Sequence, residues 1–594
     1  MKSTKIKLLY LIFIALFSSF LYAEQEKERK PILQKTILKP ITKKILYSEK
    51  GKVDSLSLSQ KKSKYLYFTE FEELYINKIS IHVFSPFGVT DTLSKSYVTE
   101  KGKSIVNQLH INTKENIVRN IILFKEGDEV NPIVFAESER YLRQNSYIYD
   151  AAIFLEKISG DSVNVKVFVQ DVWSLQINSD IGFFNDKGNL RIKDVNFGGY
   201  GGTLTWHIKK NPEWSSNYKH DFEYKYSKLF NKQGVGRVYL QSGTNHVQYG
   251  LGLNNTSVQE NIKFLGGFNI DVYRTNDLLI EPDSIKLSLD YHEKDLWAAF
   301  NYSIDSKKHD YNRYKHFIFG SRIIQKINHK DPNIDNHYYQ DNVFVLVGMS
   351  FLNRSFYQES YLFSIGQTED IPVGNKFEMV FGKEFQTNSS RNYIGLSSTV
   401  ANYLNHYSYL LTSTKFGFYL NDNKFDNGIL DFDNFYFSPL HTLKALKYRN
   451  YASVRYSKAI KPYNIDQLLD LKNQVRGLKS DLLKGDKRIL LSFENNLFMP
   501  ISLLGFHSAL VTFADLALIS GVGESIIENS LKSSLGFGIR INNEKLIFPT
   551  IQFSFVYFPN SEYMGSDPYH FITGNTNFYQ IENMSYQKPH IYTW

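Results

Sequence analysis

"SLGFGIRIN", residues 534–542, and "TIQFSFVYF", residues 550–558, alternate between two kinds of side chain. In the first, Leu535, Phe537, Ile539 and Ile541 oppose Ser534, Gly536, Gly538, Arg540 and Asn542. In the second, Ile551, Phe553, Phe555 and Tyr557 oppose Thr550, Gln552 and Ser554. Successive side chains of a strand point to opposite faces, so each stretch reads as a strand with one apolar and one polar side. Such strands suit a soluble sandwich as well as a barrel in lipid, and length decides between them. From residue 174 onward there is little but this alternation, broken by Asn/Asp/Gly/Lys connections, with Phe, Tyr and Leu on the apolar faces. That is too long for one sandwich. A strand crossing a bilayer needs about 9–11 residues, and all its backbone groups must be paired, which a closed barrel achieves. About 410 residues at roughly 25 per strand and connection predict a mainly β chain whose antiparallel transmembrane barrel has about 16 strands.

The N-terminus agrees with export. Lys2, Lys5 and Lys7 precede the apolar run Leu8 to Phe17, and Tyr22-Ala23 stands before Glu24, which describes a secretory signal peptide over 1–23. The run is too short for a membrane-spanning helix, and no other stretch offers about 18 uninterrupted apolar residues. The chain has no cysteine, so lipid-modified cysteines, disulfides and thiolate metal sites are excluded. High aromatic content (41 Tyr, 45 Phe) at a mean hydropathy of −0.33 matches barrel composition. Residues 24–74 are polar, basic and weakly periodic and read as a mobile leader. Part of the net charge of +9 comes from its Lys35 to Lys64 portion, read as a solvated linker.

Residues 75–173 change pattern. "INKISIHVF" (76–84) alternates as a strand. "NTKENIVRNIILF" (112–124) and "NPIVFAESERYLRQ" (131–144) carry apolar residues at helical spacing, with Asn131 placed to cap and Pro132 in the first turn. "YDAAIFLEKISGDSVNVKVFVQDVW" (149–173) is a hairpin around Gly160-Asp161. The predicted order is β-α-α-β-β.

"ILFKEGDEVNPIVFAESERYLRQNSYIYDAAIFL" (122–155) and "VNVKVFVQDVWSL" (163–175), in that order of elements, resemble a POTRA domain, the periplasmic module of outer-membrane assembly factors. The part that follows resembles the barrel of the BamA/TamA superfamily of protein insertases and translocases. Its carriers are "DVNFGGYGGTLTW" (194–206), "QVRGLKSDLLKGDKRILLSFEN" (474–495) and "VTFADLALISG" (511–521). The family signature is a Val-Arg-Gly-aromatic loop folded back into the lumen. Val475, Arg476 and Gly477 match it, and Leu478 replaces the aromatic residue.

The spacing assigns faces to the acids near that loop. Arg488, Leu490, Ser492 and Glu494 share one face, and Phe513 lies on the same side of its strand as Asp515. A carboxylate facing acyl chains would cost several kcal/mol, so Glu494 and Asp515 should point into the lumen. The resemblance then implies that Arg476 meets Glu494, Phe513 and Asp515, its guanidinium forking onto carboxylate and stacking on the ring. This would be a structural lock and not a catalytic site.

Other constellations carry less. "DNKFDNGILDFD" (422–433) departs from the calcium-loop pattern at Lys424 and Asn427 and reads as a solvated loop. His507 and Ser508 are strand neighbours facing opposite sides, so they form no nucleophile–base pair. "GYGGT" (199–203) precedes a strand and not a helix, so its glycines serve crowding at a strand or turn rather than phosphate binding. The histidines have no ligand spacing, and nothing suggests nucleic-acid binding. The closing strand is expected at about 568–582, and Trp594 matches the terminal aromatic of outer-membrane recognition signals.

The resemblance implies insertion or export of other outer-membrane or secreted polypeptides without a cofactor. Clients would add a strand to the edge of the POTRA hairpin, and a weak seam between the first and closing strands would open toward outer-membrane lipid. Accessory assembly subunits are possible partners. A single POTRA points to a specialised relative rather than the main assembly factor. The alternatives are a passive channel or structural surface barrel, and a pore dedicated to one secreted partner.

Overall fold

The computed structural model describes residues 65–86 and 110–592, apart from 159, 180–186, 213–216, 230–233, 244–245, 257, 259–261, 281–284, 305–313, 330–340, 366, 388, 405–406, 422–423, 463–467, 473, 479–482, 504–505, 544–550, 560–567, 576–578, 580 and 583. The signal-peptide reading, most of the leader and Trp594 lie outside the described residues.

The first body is small and mixed: α1 (Tyr65–Thr69), β1 (Tyr75–Phe84), α2 (Glu115–Ile121), α3 (Pro132–Arg143), β2 (Ile148–Lys157) and β3 (Ser162–Asp171). Its sheet has the order β1-β3-β2, with β1 parallel and β2 antiparallel to β3. Central β3 alternates valines with Ser162, Asn164, Lys166, Phe168 and Gln170, and Val163, Val165, Val167 and Val169 are all fully buried. Each such burial contributes roughly 1.5–3 kcal/mol. Asn131 caps α3, its Oδ1 accepting from the Ile133 and Val134 amides at 3.0 and 3.4 Å, and Pro132 opens the first turn. Packed chain begins before the expected end of the leader at residue 74. Phe68 of α1 is fully buried, and the Tyr67 hydroxyl accepts from the Leu155 amide and donates to its carbonyl.

That last pair changes one expectation. Alternate residues of β2 present their backbone groups outward, away from β3. Leu155 is taken by Tyr67, the Ile153 amide donates to Glu139 at 2.7 Å, and the Ala151 carbonyl accepts from Arg143 at 3.3 Å. The hairpin edge expected to accept a client strand is therefore already occupied, because α1 and α3 lie along it and satisfy groups that would otherwise be open.

The second body is a closed antiparallel sheet of about 20 strands among the described residues, running from Leu175–Ser179 to Tyr569–Asn575, which lie side by side. The expected count of about 16 is corrected upward. Several connections hold only two or three residues, such as those joining Gly243 to His246 and Asn421 to Lys424, so the repeat is shorter than the 25 residues assumed. The closing strand also ends at Asn575, earlier than residue 582. The deciding stretch behaves as read: Leu535, Phe537 and Ile539 are 46, 62 and 47% exposed on the outer surface, while Ser534 and Arg540 are buried inside. The acidic stretch 422–433 is mostly strand (Lys424–Phe437) rather than a loop. Its Asp433 pairs with Arg455 at 2.6 Å, and its Asp431 accepts from the Ser457 hydroxyl.

The small body seats on one end of the barrel at two places. On one side, Asp171 accepts from the Thr113 amide and hydroxyl at 2.6 and 2.8 Å, and Asn196 donates to the same hydroxyl at 2.9 Å. Gly199, at φ +78°, follows in that turn, where a Cβ would meet the Asn112 carbonyl oxygen at 2.5 Å. Across the ring, Arg143 forks onto Asp370 at 2.7 and 3.1 Å, and Arg140 lies 4.1 Å over the Phe356 ring. The body therefore bridges the mouth.

Candidate functional site

The connection between Leu446–Ile460 and Lys487–Leu503 leaves the barrel at the end opposite the small body and folds back inside it. Its two-residue strands, Leu469–Asp470 and Lys484–Gly485, pair only with each other, so the barrel wall does not depend on them. Tight bonds shape the tip: the Gln474 amide donates to the Leu471 carbonyl and the Leu478 amide to the Val475 carbonyl, at 3.1 and 3.0 Å. Gly477 sits at φ +87°, a conformation that disfavours side chains. A Cβ there would also stand 2.9 Å from Ile572 and 3.0 Å from Phe558. Val475 and Leu478 are buried in a cluster with Leu471, Leu490, Val511, Phe513 and Phe558. Leu478 thus fills the place of an aromatic residue by apolar packing.

Arg476 is the polar centre. Its Nε and Nη2 donate to the two oxygens of Asp515 at 2.9 and 2.6 Å, and its own amide donates to Asp515 Oδ2 at 3.0 Å. Nη1 pairs with Glu494, Nη2 reaches the Phe493 carbonyl at 3.3 Å, and the guanidinium lies 3.9 Å over the Phe513 ring. Of the residues singled out from the sequence, Arg476, Glu494, Phe513 and Asp515 meet at this point, with Val475 packed in the cluster beside it and Gly477 against Ile572 and Phe558, and Glu494 and Asp515 are buried and face inward. Lysine could not make this fork and stack together.

Sequence reasoning missed the second layer. Arg540 donates to the other Glu494 oxygen at 3.0 Å and to Gln552 at 3.0 and 3.2 Å, so Glu494 bridges two arginines. The inward positions of Arg540 and Gln552 were legible from the alternation, but which acid they meet depends on strand register. Tyr579, 6.0 Å from the Arg476 guanidinium, was expected within the closing strand at 568–582, but it lies beyond that strand, which is Tyr569–Asn575.

The arrangement holds the loop tip against the barrel wall. Among the described residues no group of three or more His, Asp or Glu side chains is placed to hold a metal ion, and no helix is long and apolar enough to cross a membrane.

No protein-family model and no curated protein matches the chain. Among solved structures it is similar to BamA from Haemophilus ducreyi lacking POTRA domains 1–3, at 11% identity and TM-score 0.33, over 84% of each chain. It is similar to CdiB from Acinetobacter baumannii at 12% identity and TM-score 0.38, over 84% of this chain and 73% of that one. For CdiB from Escherichia coli the values are 8%, 0.41, 84% and 75%.

Proposed function

We propose that this chain is an outer-membrane protein insertase or translocase of the BamA/TamA type, serving other barrel or secreted polypeptides without a cofactor. In this reading residues 1–23 direct export, the leader ends before α1 (Tyr65–Thr69), the small domain from there to residue 173 is a periplasmic POTRA domain, and 174–594 form the outer-membrane barrel with its tail. The observation that carries it is the Val-Arg-Gly loop held inside a closed barrel by Asp515, Glu494 and Phe513. An apolar outer surface supports a place in lipid, since so many exposed Phe, Leu and Ile side chains on the strands have no use in water. The closing seam lies between the first and last strands, Leu175–Ser179 and Tyr569–Asn575, where the order of the sheet returns on itself, and this is where the reading places its opening. Clients adding a strand to the small domain would first displace Tyr67, Glu139 and Arg143 from β2.

The test uses the absence of native cysteine. Cysteine pairs placed across the seam between Leu175–Ser179 and Tyr569–Asn575 are oxidised in proteoliposomes, and insertion of a client barrel is followed. Loss of insertion on oxidation and its return on reduction supports the reading. Unchanged insertion removes the seam from the mechanism. A large steady conductance with no client crosslinks would favour the passive-channel alternative.

A further inference from the structure

Beyond the closing strand, the described residues from Tyr579 to Tyr592 lie in the bore. Tyr579, Met584, Tyr586 and Tyr592 are buried there, and none of them lies within a strand. The wall is shaped for them. Gly320 and Gly348 face each other across adjacent strands, as do Gly395 and Gly417. A Cβ on these four would stand 2.5 Å from the Tyr586 hydroxyl, 2.9 Å from Pro589, 2.9 Å from Tyr592 and 2.5 Å from the Tyr393 hydroxyl, with Tyr592 next at 3.1 Å. Four glycines thus form a trough, filled by two tyrosines and a proline of the chain's own tail.

Polar anchors fix the same segment along its length. Glu582 meets Lys376 at 3.4 Å, and the Thr399 and Ser413 hydroxyls donate to it at 3.3 Å. Lys588 pairs with Asp295, an acid also forked by Arg322 at 2.7 and 3.0 Å. The tail backbone is read by wall side chains: Arg354 donates to the Met584 carbonyl at 3.0 Å and Arg322 to the Pro589 carbonyl at 3.0 Å. The Tyr592 amide donates to the Tyr393 hydroxyl at 2.7 Å. None of these bonds belongs to a sheet ladder. A segment bound through side chains can leave without breaking the wall, whereas a ladder strand cannot.

We infer that the trough is a binding site for an extended polypeptide bearing spaced tyrosines with flanking lysine and carboxylate, and that residues 579–592 are its tethered, exchangeable occupant. Tethering holds such a ligand at an effective concentration of order millimolar, so an outside segment enters only when the tail swings out. The site then keeps the bore closed at rest. That the incoming segment is a client deepens the function proposed above and rests on it; the self-ligand itself stands on the contacts.

The test uses the full chain and a variant stopped after Phe578, both refolded in detergent, with a fluorescent synthetic peptide of residues 579–594. The truncated barrel should bind the peptide at least tenfold more tightly than the full chain. Asp295→Asn in the truncated barrel should weaken it about tenfold. Equal binding by the full and truncated chains overturns the proposal. If truncation prevents folding, a second variant decides. The ideal Gly417 Cβ lies 3.1 Å from the Tyr592 Cβ, close to the roughly 3.5–4.5 Å of a disulfide, so Gly417→Cys with Tyr592→Cys should lock the tail. In planar bilayers, opening events should fall at least tenfold on oxidation and return with reductant, and identical records in both states also overturn it. Neither measurement requires client insertion, so peptide binding without insertion would remove only the broader function.

Discussion

Arg476→Ala should release the lumen loop while leaving the barrel folded. The side chain gives Asp515 a two-point fork and Glu494 one of its two arginines. Breaking a buried charge pair costs about 3–5 kcal/mol, and the ring contact adds about 0.5–1 kcal/mol. Asp515 keeps the residue-476 amide and the Ser534 hydroxyl, and Glu494 keeps Arg540, so the lower end applies. A loss of about 3 kcal/mol lowers the ratio of docked to released loop about a hundredfold. The wall is spared because the loop's short strands pair only with each other. A single cysteine at Leu478, buried at 3% exposure, reports on docking through its rate of maleimide labelling. Labelling should be slow in the otherwise native protein and about a hundredfold faster with Arg476→Ala, while mobility in unheated gels still shows a folded barrel. Equally slow labelling in both would refute the lock. Faster labelling with full client insertion would keep the geometry and remove its function.

Three further outcomes follow from other contacts. Gly477→Ala should loosen the loop by about 1–3 kcal/mol, since its φ of +87° is strained for alanine and the added Cβ meets Ile572 and Phe558; the same labelling assay reads it. Tyr67→Phe should lower the urea midpoint of the small domain by removing two hydrogen bonds worth about 0.5–1.5 kcal/mol each. It should also raise photo-crosslinking of extended peptides to β2, because the Leu155 amide and carbonyl become open. For Glu137, burial alone would raise the carboxyl, but Arg140 and Arg354 reverse this and hold it below the usual carboxylate range. Its contribution is present above the ordinary carboxylate pKa and is lost as pH falls through the lowered one. Glu137→Gln should therefore flatten the acid limb of unfolding, followed by circular dichroism, and an unchanged limb would exclude this pair as its source.

Side-chain period is a local property, so the alternation in 534–542 and 550–558 was enough to assign strand and face, and the length of the alternating region after residue 174 pointed to a closed barrel. Capping is local too, which is why Asn131-Pro132 marked the start of α3. The lock was legible in part: spacing turned Glu494 and Asp515 inward, and the Val-Arg-Gly resemblance supplied their partner. Register and connection length are not local. The strand number came out larger because turns between neighbouring strands are short, and an acidic stretch expected to be loop became wall because its acids found arginine and serine on the next strand.

The sequence by itself determined that stretches such as 534–542 and 550–558 are strands, which of their faces shun water, and that one arginine sits in a loop with acids on nearby inward faces. Only the tertiary structure decided that α1 and α3 cover the β2 edge, that Glu494 is shared between Arg476 and Arg540, and that the tail lies in a trough of glycines. These are contacts between residues up to hundreds of positions apart. Curvature and register of the closed sheet bring them together, and neither is written in any short window of the chain.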